Sequence, residues 1–161
     1  MSLPPSPASL REFFVEHGLI DQDEPVSERS LRSASLVHAA LHGKVEGLNG
    51  AAGSAAERSV IDETAREAGL ELHFDPEGPP RIEPTAPGVA GALGRILAAA
   101  FLAQLDGTWE RLKECSDDTC TSVFYDRSKN HSGKWCSMQS CGNRNKVRAW
   151  RARQHVGGPP A

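Results

Sequence analysis

Cys115-Ser116-Asp117-Asp118-Thr119-Cys120 is followed, fifteen residues on, by Cys136-Ser137-Met138-Gln139-Ser140-Cys141. Each pair encloses four residues, and the two pairs use all four cysteines of the chain. Two matched pairs on a short spacer place four thiolates at the corners of a tetrahedron, as in a closed zinc site. Zinc suits them because thiolate is a soft ligand and zinc brings no redox chemistry of its own. Two disulfides or four buried thiols are the alternative. Met1-Ser2-Leu3-Pro4-Pro5 carries no secretory pattern, which sets the expectation of a reducing, cytoplasmic compartment and disfavours disulfides. A catalytic zinc keeps an open position, usually beside His or carboxylate ligands. Four thiolates close the shell, so the expectation is one structural ion. In a module with so few large apolar side chains, metal binding supplies most of the folding free energy, on the order of 10 kcal/mol or more.

Working outward, Arg111–Cys115 and Thr121–Tyr125 are predicted to pair as a hairpin, with Ser116–Thr119 as the turn between them. A helix is predicted from about Ser137 to Gln154, with Cys136 just ahead of it and Cys141 in its first turns. That order is a treble-clef-like plan, and Gly142 is expected to let backbone approach the site.

Trp135-Cys136-Ser137-Met138, then Cys141-Gly142-Asn143-Arg144 and Lys146-Val147-Arg148, resemble the CGNR zinc finger family. Phe124-Tyr125-Asp126 with Ser128, Lys129 and Asn130 is similar to that family's segment between cysteine pairs. The likeness covers about residues 109–153. The family usually joins this finger to an N-terminal helical domain called ABATE. Ser6–Leu10, His17-Gly18-Leu19, Leu31-Arg32 and the Leu70–Ile82 ribbon look similar to that domain, whose customary first segment this sequence is expected to lack. The resemblance implies a bacterial regulator of transcription whose finger binds DNA.

The charges divide sharply. The chain has 18 basic and 21 acidic residues, a formal net charge of -3. Residues 111–155 nevertheless hold ten basic side chains against four acids. On the last helix Arg144, Arg148 and Arg151 share a face, with Lys146 and Arg153 on the same element. Arg127, Lys129 and Lys134 flank them from the preceding loop. Such a row can contact phosphates and can place an arginine on a guanine edge. The candidate nucleic-acid residues are therefore Arg127, Lys129, Lys134, Arg144, Lys146, Arg148, Arg151 and Arg153. A solvated basic face, or one docked on the acidic N-terminal domain or another acidic protein surface, is the alternative, because residues 1–110 are acidic. Val147 and Trp150 are expected in the finger's small core. Gly142 and Asn143, next to a ligand, are expected to brace the metal site.

Ahead of the finger, helices are predicted over Ser9–His17, over Ser27 to about Leu41 (with Val45 as an extension), and from a Ser54/Glu57 capping box to Ala68. Leu70–Asp75 and Arg81–Glu83 suggest a two-stranded ribbon. A long helix follows, with Val89, Leu93, Ile96, Leu97, Ala100, Phe101 and Leu105 as its buried face. The fold class is thus α+β: a mainly helical domain over 1–107, a four-cysteine finger over 108–155, and a disordered tail over 156–161. Residues 1–7 and 49–53 read as mobile and as a small-residue loop. No membrane span is expected, since Arg95, Gln104 and three glycines interrupt the most apolar stretch.

His38, His42 and Glu46 share a helix face at metal-binding spacing, although an ordinary histidine pair is the plainer reading. No phosphate-binding loop, dinucleotide fingerprint, zinc-protease pair or nucleophile elbow occurs, so no enzyme activity is expected. The N-terminal domain is expected to sense a small-molecule signal or to mediate assembly through a protein partner or a second copy. In the remaining alternative it is the sensor and the finger only a staple.

Overall fold

The computed structural model describes residues 4–47 and 54–156. The expectations for residues 1–3, for the loop at 49–53 and for the tail from Gly157 onward lie outside the described residues. The fold is mixed α/β, with five α-helices and two small two-stranded sheets among the described residues. The chain divides into two compact units, the first running through Glu110 and the second starting at Arg111.

In the first unit, α1 (Pro7–Glu16) starts two residues earlier than its apolar pattern suggests. Ser6 and Ser9 form a capping box there, and Pro7 occupies the first helical position. The helix buries Leu10 and Phe14. In α2 (Glu28–Gly47), Ser30 donates its N–H to the Ser27 hydroxyl, closing the end that Ser27 marks in the sequence. Ala34, Val37, Ala40 and Val45 are its buried face. The third helix, α3 (Ala55–Ala68), carries the expected Ser54/Glu57 box and ends on left-handed Gly69.

The ribbon pairs β1 (Leu70–His73) antiparallel with β2 (Arg81–Pro84), Leu72 opposite Ile82. Leu72 is nonetheless exposed. The last helix of this unit, α4 (Gly88–Leu105), supplies Val89, Ala92, Leu93 and Leu97 to a core completed by Leu10, Phe14, Ala34 and Val37. Two expected core residues fall outside it: Phe101 is 51% and Leu105 70% exposed. The apolar stripe of α4 outlasts the partners that cover it, so its last turns face solvent. By length and composition alone α4 is apolar enough to cross a membrane, a test that the core helix of a folded unit also passes. Its alanine-rich packing face accounts for that apolarity.

Gly94 fixes how closely α4 lies to its neighbours. A Cβ there would stand 2.6 Å from the Ala68 methyl and 2.9 Å from Pro84 Cβ. A Gly94→Val substitution is expected to cost about 2–3 kcal/mol by overpacking, more than the roughly 1 kcal/mol of helix propensity that leaving glycine returns. Chemical denaturation of the full chain, followed by its helical signal, checks this.

Candidate metal centre and its basic helix

The second unit is built around the cysteines. β3 (Leu112–Glu114) and β4 (Val123–Tyr125) form the expected hairpin, with Lys113 opposite Phe124. The Cys115 N–H donates to the Ser122 carbonyl at 2.9 Å, so the ladder carries the first ligand directly. The turn between Cys115 and Cys120 is made by Asp117. Its carboxylate accepts the Thr119 N–H at 3.0 Å and its carbonyl accepts the Cys120 N–H at 2.7 Å. This is an Asx turn, the usual work of aspartate two residues before a hydroxyl. Cys136 precedes a π-helical turn (Met138–Gly142) that carries Cys141, and α5 (Asn143–Val156) continues from it.

All four sulfurs lie within 4.8 Å of one another, with Cys120–Cys136 at 3.8 Å and Cys136–Cys141 at 3.7 Å. Zinc–sulfur bonds of about 2.3 Å in a tetrahedron require sulfurs about 3.8 Å apart. A disulfide would bring two of them to about 2.05 Å; all four cysteines are free thiols. Left to themselves these thiols resist joint ionisation. Burial pushes Cys141 up to about 12, whereas hydrogen bonds from Ser122 hold Cys120 at about 6. A dication at their centre is what lets all four become thiolates. The four cysteines are positioned to bind one zinc ion.

Two buried aspartates frame the site. Asp126, 3% exposed, accepts Lys113 Nζ at 2.7 Å and the N–H groups of Ser128 and Gly133, both at 2.9 Å. It thereby ties the loop leading to Cys136 back onto the hairpin. The Lys113 contact first, then those of Ser128, hold its carboxyl well below the usual carboxylate range. A depressed folded pKa means its stabilisation is complete above the unfolded value of about 3.9 and fades as pH falls towards the folded one. Asp126→Asn should therefore lower the thermal midpoint of the zinc-loaded finger at pH 7, read by differential scanning calorimetry.

Asp117, 1% exposed, takes the Thr119 hydroxyl on Oδ1 at 2.6 Å and the Asn145 amide on Oδ2 at 2.8 Å. Asn145 also donates to the Cys141 carbonyl at 3.1 Å. The bracing amide is thus Asn145, and Asn143 is exposed instead. Helical geometry explains the exchange: Asn145 lies one turn beyond Cys141 and faces the same way. Gly142 is buried, and the missing side chain makes room for its neighbours. A Cβ there would meet Met138 Sδ at 2.8 Å and Trp135 Cδ1 at 3.2 Å.

The candidate nucleic-acid residues separate into two groups. Arg144 and Arg148 turn towards the Asp117 turn: Arg144 lies 3.7 Å from Asp117, and Arg148 lies 3.9 Å from Asp117 and 3.8 Å from Asp118. Arg127, Lys129, Lys134, Lys146, Arg151 and Arg153 are exposed and, among the described residues, have no acidic partner. Val147 and Trp150 are 46% and 56% exposed, not in a core. The finger is too small to cover a helix on two sides, and the side facing the cysteines already holds Asn145. Gln139, Ser140, Asn143, Val147 and the three arginines at 144, 148 and 151 line a shallow groove of about 450 Å³. The rings of His38 and His42 stand 5.9 Å apart on α2, and the side chain of Glu46, the third member of that spacing, lies outside the described residues.

A hairpin, a turned loop and a helix held by four converging thiols define a zinc-binding finger. Residues 111–154 match the CGNR zinc finger family, in agreement with the motif read at Cys141–Arg144. No curated protein matches the chain.

Proposed function

We propose that the protein is a DNA-binding regulator of transcription, with a structural zinc finger of treble-clef plan that presents α5 to the duplex. The observation that carries this is α5 itself. It holds five cations and no acid, and Lys146, Arg151 and Arg153 are exposed with no acidic partner among the described residues. Phosphate contact is what such unpaired cations offer, and the exposed Val147 and Trp150 add apolar surface beside them. The zinc, enclosed by four sulfurs, has no open position and no catalytic task. The helical unit, read as ABATE-like, senses a signal or mediates assembly in a cytoplasmic, bacterial setting.

A second reading is favoured by the ion pairs of Arg144 and Arg148 with Asp117 and Asp118: the same helix binds carboxylates and would dock on an acidic protein surface. Fluorescence anisotropy of the zinc-loaded chain with a mixed-sequence duplex separates the two. The DNA reading expects log Kd to rise linearly with log salt, with a slope of about 4–5 for four to six phosphate contacts. No binding at low salt, or displacement of the duplex by polyglutamate at equal charge concentration, favours the protein surface.

A further inference from the structure

We infer that Arg144 reads a guanine base, with Thr119 and Asp117 as its positioning residues; this rests on the DNA reading above. The geometry around Arg144 differs from that of every other cation on α5. Its Nη1 donates to the Thr119 hydroxyl at 2.8 Å, and that hydroxyl donates in turn to Asp117 Oδ1 at 2.6 Å. Asn145 holds the other oxygen of Asp117, so the chain of donors runs one way and ends on a buried, fully engaged carboxylate. Among the described residues nothing pairs with Arg144 Nε or Nη2, and the side chain is 49% exposed.

One edge of the guanidinium is therefore fixed and the opposite edge is open. The open edge is the Nε–Nη2 fork, two parallel N–H donors at the spacing of guanine O6 and N7. Fixing the first edge in the free protein removes rotamer entropy that a mobile arginine would lose on binding. Arg148 turns both Nη atoms to Asp117 and Asp118 at 3.8–3.9 Å, beyond hydrogen-bond reach, and has no such fixed donor. Among the described residues Lys146, Arg151 and Arg153 have no such fixed donor, which suits phosphates and carries no base information. Arg144 also stands at the start of α5, and the Asn143 amide lines the same groove. Since Thr119 lies in the turn between two zinc ligands, the metal sets the orientation of the reading edge.

The test is enrichment of a randomised duplex library by the full-length, zinc-loaded protein. The wild type should select a motif with one invariant guanine. Arg144→Lys keeps the charge but not the fork. It should lose preference for that guanine by about tenfold, with salt slope and zinc content unchanged. Thr119→Val removes the hydroxyl that holds Nη1 and, where zinc content stays at the wild-type value, should weaken the same preference severalfold and leave other positions of the motif alone. Arg151→Ala should lower affinity for all sequences alike and reduce the salt slope by about one. A motif unchanged by Arg144→Lys, or loss of the guanine with Arg151→Ala, overturns the assignment. Salt-dependent binding with no base preference removes this inference alone. Absence of duplex binding removes the DNA reading, and this with it.

Discussion

Stripping zinc from the full chain is expected to unfold the C-terminal unit and leave α1–α4 folded. Among the described residues, the buried hydrophobic side chains from Arg111 onward are Cys115 and Cys141, both of them ligands. Among the described residues that unit buries no large apolar cluster, its Leu112, Val123, Phe124 and Trp135 being only partly covered, while the first unit holds Leu10, Phe14, Val37, Leu93 and their neighbours. Structural zinc contributes roughly 10–16 kcal/mol in small finger modules, far more than the hairpin and one helix could replace. Hydrogen exchange with and without a chelator should show protection lost across residues 111–154 and retained across α1, α2 and α4. Cys141→Ser should reproduce the loss at saturating zinc, because a hydroxyl is a poor substitute for a buried thiolate. Protection that persists in the finger after metal removal would show a different source of stability.

The second large effect is expected at the helix surface. Replacing Lys146, Arg151 and Arg153 together with alanine should weaken duplex binding about 100-fold near physiological salt, at roughly 1 kcal/mol per charged contact. The salt slope should fall by about three, one for each lost phosphate contact. Zinc content and thermal midpoint should not move, since these side chains hold nothing in the finger. Removing Arg144 and Arg148 is a different experiment, because it leaves the Asp117 carboxylate buried without its cations. An unchanged slope in the triple variant would move the contact surface off α5.

How far the sequence foretold this molecule depended on how local each signal was. The cysteine spacing, the hairpin around Ser116–Thr119, the Ser54/Glu57 box and the ribbon at 70–84 are set by neighbours along the chain, and all were legible. Asp117-x-Thr119 and Asp126-x-Ser128 carry the same turn signal and could have been read as the two braces of the finger. What could not be read was which side of a helix finds cover. Helical spacing groups Val147 with Trp150, and Phe101 with Leu105, but it does not say whether anything packs on them. Nor did spacing reveal that Arg144 and Arg148 approach the same turn as Asn145, so that two arginines of the basic row are tethered to the turn holding Cys120. The 143-to-145 exchange of the bracing amide has the same origin. Adjacency to Cys141 in sequence favoured Asn143, whereas one helical turn favours Asn145.

The claim on which everything else depends is that one ion is held by four sulfurs. X-ray absorption at the zinc edge, on protein purified without added metal, tests it most directly. One zinc per chain with four sulfur neighbours at about 2.3 Å is the expected result. A first shell containing nitrogen or oxygen, or a chain that holds no zinc and has its cysteines paired in disulfides, would contradict it.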